Sequence, residues 1–157
     1  MQIKLLAIGK TDDKNLQSLI DDYQKRLGYY IKFDFEIIAD IKNAKSLSEA
    51  QQKQKEGELI LSKVTNSDAL VLLDENGKQM DSVAFSNYLQ KYMNSGIKRL
   101  VFVIGGPYGF SEAVYQKAQG KLSLSKMTFS HQMVRLFFIE QLYRGFTILR
   151  NEPYHHR

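Results

Sequence analysis

An α/β fold, with a mostly parallel sheet carrying helices on both faces, is the fold class this sequence predicts. Three observations carry that reading. Strand-like and helix-like segments alternate along the whole chain. The stretches at residues 69–73 and 101–104 are apolar at every position, as strands buried on both faces are. Hydrophobic residues make up 43% of the 157, enough for one sizeable core, and no linker, low-complexity stretch or internal repeat divides them. Residues 1–157 are therefore expected to form a single domain.

The elements follow in order. "IKLLAIG", Ile3 to Gly9, reads as a buried first strand. Leu16, Leu19, Ile20, Tyr23 and Leu27 recur at helical spacing, and Gly28 can stop that helix. "IKFDFEII" puts Ile31, Phe33, Phe35 and Ile37 on one face of a second strand. Ser46 and Glu49 fit a capping box for a polar helix that turns apolar at Leu59, Ile60 and Val64. "DALVLLD" is a short strand, and "ENGK" is expected to turn the chain after it. Phe85, Leu89, Tyr92 and Met93 mark a helix ending near Gly96. "KRLVFVIGG" is the next strand, a short helix starts near Ser111, and "KLSLS" gives a last short strand. From about Gln132 to Ile148 a helix is apolar around most of its circumference, so it is either a core helix or part of a subunit interface.

Composition narrows the chemistry. There is no cysteine, which removes disulfides, thiolate metal sites and cysteine nucleophiles and fits a reducing cytoplasm. Three histidines make a poor metal set, and no metal is expected. No apolar run reaches the ~20 residues of a membrane span, and the N-terminus does not read as a signal peptide. The net charge of +5 suits a polyanionic partner and equally an ordinary mildly basic protein.

Three stretches carry candidate function. "FVIGGPYGFSEA" ends a strand in Gly105, Gly106 and Gly109, which let a backbone approach a ligand or simply make a tight connection. It is neither a Walker loop nor a dinucleotide fingerprint. "LSLSKMTFSHQMVR" offers the hydroxyls of Ser123, Ser125, Thr128 and Ser130 beside Met127 and Phe129, a mixed lining that suits an adenosine-like ligand or a loop that caps a helix. His131 there can be a capping or a core histidine. The tail "RNEPYHHR" follows a helix-ending proline. It reads as a free terminus, or as aromatic and cationic groups that stack on bases and meet phosphates, with Arg144 able to face the same side.

Together, "LLAIGK", "LVLLDENGK", "FVIGGPYGFS", "LSLSKMTFSHQMVR", "EQLYRG" and "PYHHR" resemble, in order and spacing over nearly the whole chain, the RlmH (YbeA-like) methyltransferases of the SPOUT superfamily. The resemblance implies a C-terminal trefoil knot, a homodimer and S-adenosylmethionine bound in the knot loops. It implies methylation at N3 of a pseudouridine in 23S rRNA within the assembled ribosome, without metal or membrane. The cofactor positions it carries over are Leu73, Gly105, Leu124, Ser125, Lys126, Met127, Thr128 and Phe129. His131, Arg144, Tyr154 and His155 are the expected catalytic residues, with His155 a possible base. Two rivals stand beside this reading: a non-catalytic RNA-binding or ribosome-assembly factor of the same fold, and a SPOUT enzyme acting on transfer RNA. Two residues depart from the family pattern. Ser130 stands where proline is expected and should loosen the loop. Gly145 stands where alanine is usual and should cost on the order of 1 kcal/mol.

Overall fold

The computed structural model describes residues 1–156; Arg157, counted in the tail motif above, lies outside them. Five strands, Gln2–Ile8 (β1), Lys32–Ile38 (β2), Ala69–Gln79 (β3), Arg99–Ile104 (β4) and Gly120–Ser123 (β5), form one sheet in the order β2-β1-β4-β3-β5. Every pairing is parallel. Parallel neighbours need crossovers, and helices supply them: Lys14–Leu27 (α1), Glu49–Ser62 (α2), Ser82–Asn94 (α3), Glu112–Lys117 (α4) and Met133–Leu149 (α5). The fully apolar runs of β1, β3 and β4 are buried because helices cover both faces. One face packs Ile20 and Leu27 of α1, Phe85 and Leu89 of α3, and Phe138, Ile139, Leu142 and Phe146 of α5. The other packs Ile60 of α2 with Phe110, just before α4, and with Val114 of α4. The last helix is thus a core helix, although Met133 and Phe137 remain exposed on its far side.

Local chemistry sets the boundaries, and in two places it differs from expectation. The capping box of α2 is Ser48 with Gln51, not Ser46 with Glu49. Ser46 is already committed to a 3₁₀ turn, where its hydroxyl donates to the carbonyl of Asn43. "ENGK" does not end its strand either. β3 runs on to Gln79, and the register against β5 jumps between Leu73 and Lys78, both paired with Leu122. The surplus residues form an irregularity of the kind that re-aims side chains beside a site. A Cβ on Gly77 would lie 2.7 Å from the backbone of Leu122, so only glycine allows this approach to β5. By contrast, α4 starts as expected, with the Ser111 hydroxyl accepting from the amide of Val114.

The start of α5 is tied to the opposite end of the chain. Arg135 is 1% exposed. Its guanidinium donates to the carbonyls of Ile8 (2.9 Å), Gly9 (2.7 Å) and His131 (2.9 Å) and to the Thr11 hydroxyl (3.1 Å). It forms no ion pair among the described residues. Burial lowers its pKa from the ordinary arginine value, with the charges of Asp12 and Asp40 opposing. Arginine's fixed fork suits this role, since one planar group satisfies several buried carbonyls at once.

Candidate functional site

Ligands of parallel α/β sheets bind beyond the carboxyl ends of the strands, and a cavity of about 490 Å³ opens there between β3, β4 and β5. The strand ends deliver Leu73 and Ile104, and the chain after β4 delivers Gly105 to Phe110. Within that turn the amide of Gly109 donates to the carbonyl of Gly106 (3.2 Å). Gly109 has φ +82°, a conformation other residues rarely adopt. Gly105 and Gly106 matter through space instead. A Cβ on Gly105 would meet the ring of buried Phe110 at 3.0 Å, and one on Gly106 would meet the carboxylate of Glu56 at 2.5 Å.

The opposite wall is the segment after β5. The Ser123 hydroxyl donates to the carbonyl of Ser125 (2.9 Å), the Ser125 hydroxyl accepts from the amide of Met127 (3.0 Å), and the Ser130 hydroxyl accepts from that of Met133 (2.9 Å). Three of the four hydroxyls read as ligand groups therefore shape the loop and the entry to α5. Ser130 caps an otherwise unsatisfied helix amide. The cavity takes in apolar Leu73, Leu124, Met127 and Phe129 alongside Asp74 and Thr128. Its size falls within the roughly 300–1,000 Å³ of small-molecule sites, and its mixed lining fits a nucleoside-bearing cofactor.

A second cluster closes the C-terminus. Glu140 Oε1 accepts from Arg144 Nε (3.1 Å), Arg144 Nη2 (2.6 Å) and the Tyr154 hydroxyl (2.9 Å). The Tyr23 hydroxyl sits 3.1 Å from that of Tyr154. Arg144 lies over the Tyr154 ring at 4.7 Å. Burial, followed by the hydrogen bonds to Tyr23 and Glu140, pushes the Tyr154 phenol up from its ordinary value. Arg144 Nη1 also lies 3.1 Å from His155 Nδ1. A guanidinium can only donate, so this Nδ1 is the acceptor and the ring proton sits on Nε2, which is buried and has no partner among the described residues. Tyr154 and His155 are therefore packed on side chains of α1 and α5, which speaks against the free-terminus reading of the tail.

Residues 1–155 match the family described as "Predicted SPOUT methyltransferase". The chain belongs to the SPOUT methyltransferase family. It is also 79% identical over 157 residues to "Ribosomal RNA large subunit methyltransferase H" of Flavobacterium psychrophilum, with both chains covered in full. Proteins of the same name from Christiangramia forsetii and Porphyromonas gingivalis are 71% identical over 157 residues and 53% over 156, covering 100% and 99% of each chain. The family expected from the sequence is borne out. A methyl-donor cofactor follows from it, and the non-catalytic alternative is not favoured.

In this SPOUT chain the residues expected to hold the cofactor converge. Leu73, Gly105, Leu124, Ser125, Met127, Thr128 and Phe129 all line the cavity, and exposed Lys126 does not. His131 lines it too, apart from the other three expected catalytic residues. Arg144, Tyr154 and His155 form the second cluster instead, and none of them reaches the cavity within the chain. Sequence reasoning missed Asp74 as a cavity residue and Tyr115 as its anchor. The Tyr115 hydroxyl donates to Asp74 Oδ2 (2.6 Å), and burial, then that bond, pushes the phenol up to about 12. A carboxylate ending an apolar strand was the available signal. Glu56 was missed as well. It is 3% exposed, its Oε1 lacks a partner among the described residues, and burial raises its pKa, with Asp40 adding to this and Gln52 and His131 opposing.

Proposed function

We propose that this SPOUT enzyme transfers a methyl group from S-adenosylmethionine to N3 of a pseudouridine in 23S rRNA of the assembled ribosome, in the cytoplasm. The observation that carries the reading is the convergence of the expected cofactor positions on one cavity at the carboxyl end of a parallel sheet. The names borne by its full-length relatives supply the substrate class. Residues 1–157 act as one domain, threaded as a trefoil knot after β4 and paired as a homodimer. Exposed Met127, Met133 and Phe137, at 76%, 48% and 40%, support the pairing, as large apolar side chains left open do. So does the tail cluster, which lies off its own chain's cavity and would serve the partner's.

The turn at Gly105–Gly109 and the segment Leu124–Phe129 would hold the cofactor, with Asp74 as the charged group of the wall. The cofactor supplies a methyl group on a sulfonium, an electrophile whose leaving group is neutral. The chain's own work is to hold the target base at roughly 3–3.5 Å in line and to exclude competing water. N3 lies between two carbonyls, and losing its proton spreads negative charge onto their oxygens. Arg144 is a donor for that charge, a contribution realised mainly in the transition state. His155, with Nδ1 accepting from Arg144 and Nε2 buried, holds that guanidinium and is not the base; the proton goes to water.

Labelled methyl transfer to 70S ribosomes from a strain lacking the native enzyme, beside free rRNA and tRNA, tests this reading. Incorporation into ribosomes alone is expected. Incorporation into tRNA alone would establish the transfer-RNA rival, and no cofactor binding by calorimetry would establish the non-catalytic one.

A further inference from the structure

A ladder of aromatic rings and guanidinium groups runs outward from the tail cluster along α1 and α5. Tyr154 packs edge-on against Tyr143 at 4.7 Å, and Tyr143 packs against Tyr23 and Tyr30, each at 5.8 Å. Arg26 lies over Tyr23 at 5.1 Å, and Arg150 lies over Tyr30 at 4.8 Å. At the outer end Tyr29 is 79% exposed, between exposed Lys25 and Lys32. Lys25, Lys32 and Arg150 form no ion pair among the described residues, and Arg26 pairs only with exposed Asp22 of its own helix. Internal packing accounts for the half-buried rings Tyr23, Tyr30 and Tyr143. It does not account for the open ring of Tyr29, in a segment that also carries Lys25, Arg26 and Lys32; the acids among these groups are Asp22, on Arg26, and Glu152, which accepts from the Tyr30 hydroxyl.

We propose that the outer end of this ladder, Lys25, Arg26, Tyr29, Lys32 and Arg150, is a docking surface for single-stranded rRNA flanking the methylated base. The inference rests on the rRNA reading above and extends it from the reacting base to a path. An exposed aromatic face beside guanidinium and ammonium groups is the chemistry that holds unpaired nucleotides: bases stack on the ring and phosphates meet the cations. The inner end of the ladder is Arg144 and Tyr154, so one strand can run from the target base to Tyr29 over a continuous surface. An acidic protein segment would use the cations and leave the tyrosine ring idle.

The test uses the full-length protein and ribosomes lacking the modification. Arg26→Gln, Arg150→Gln and Tyr29→Ala are compared with Lys45→Gln and Lys55→Gln, exposed cations elsewhere. Each ladder variant should raise KM for ribosomes severalfold, and the Arg26–Arg150 double variant about tenfold, with kcat and cofactor affinity little changed. The salt dependence should flatten by roughly one phosphate contact per arginine removed. Arg26 and Arg150 touch rings, so a lowered melting temperature in those variants is resolved by Tyr29→Ala, whose ring is open. Unchanged KM and salt slope in all three, or equal losses in Lys45→Gln and Lys55→Gln, would overturn the proposal. Failure of the unaltered protein to methylate ribosomes would instead overturn the rRNA reading itself.

Discussion

The cavity and the tail cluster are two halves of one candidate site, and opposite means build them. The cavity is shaped by backbone: a glycine turn against a loop whose serines bond to their own main chain. The tail is shaped by side chains, with one carboxylate collecting three donor groups and rings packed edge to face. A site made from backbone tolerates loss of a functional group and fails when atoms are added. A site made from paired side chains tolerates bulk at its rim and fails when one partner is removed.

The largest effect is expected from removing the clamp that ties the start of α5 to the end of β1. Arg135→Ala should destabilise the protein by about 3–5 kcal/mol, because the Ile8 and Gly9 carbonyls lose their donors and a void opens. Urea unfolding measures this, and a loss below about 1 kcal/mol would show that water replaces the guanidinium. Stopping the chain after Glu152 comes next. It strips Tyr154 from Glu140 and Tyr23 and should cost about 1–3 kcal/mol as well as methyl transfer. An unchanged melting temperature would return the tail to the free terminus expected from sequence. On the cavity side, Gly106→Ala should weaken cofactor binding by about 1–2 kcal/mol in calorimetry, since its Cβ drives into Glu56. Full affinity would mean the turn yields where the contrast says it cannot.

Glu56 allows a test by pH. Its carboxyl is raised in the fold by burial. The fold therefore favours the protonated form, whose contribution is complete below the unfolded value of about 4.3 and lost as pH rises through the folded value. Glu56→Gln should raise stability at neutral pH and flatten its fall above pH ~4.3. A melting temperature lower at pH 7 than that of the unaltered protein would show that the charged carboxylate holds the turn. The smallest effect is expected from Gly145→Ala. A gain of about 1 kcal/mol in helix propensity opposes a contact of 2.9 Å with Leu89 Cδ1, the flexible end of a side chain, so the net change stays within about 1 kcal/mol.

The contrast also explains what the sequence disclosed. The strands at 69–73 and 101–104 were legible because burial on both faces leaves no polar position, and Ser111 because a cap acts on its neighbours. The extension of β3 through "ENGK" was not, because pairing with Leu122 some fifty residues away overrides local turn chemistry. Most of the expected cofactor positions lie on one contiguous loop, Leu124 to Phe129, and came with the family resemblance. The tail's packing could not, since it depends on Tyr23 and Glu140, far from it in sequence. The role of Arg135 could not be read either, because nothing near it in sequence shows that its partners are carbonyls at the end of the first strand.

That clamp has a consequence for biosynthesis. The carbonyls of Ile8 and Gly9 are made 127 and 126 residues before their donor. Until α5 has left the exit tunnel, the end of β1 has no internal partner for them, and Leu5 has no Phe102 beside it until β4 is made. The nascent chain can zip β1 to β2 early but must wait with the other edge open. Completion of the sheet is thus tied to synthesis of α5, and a stalled chain lacking that helix would expose that edge to chaperones and proteases.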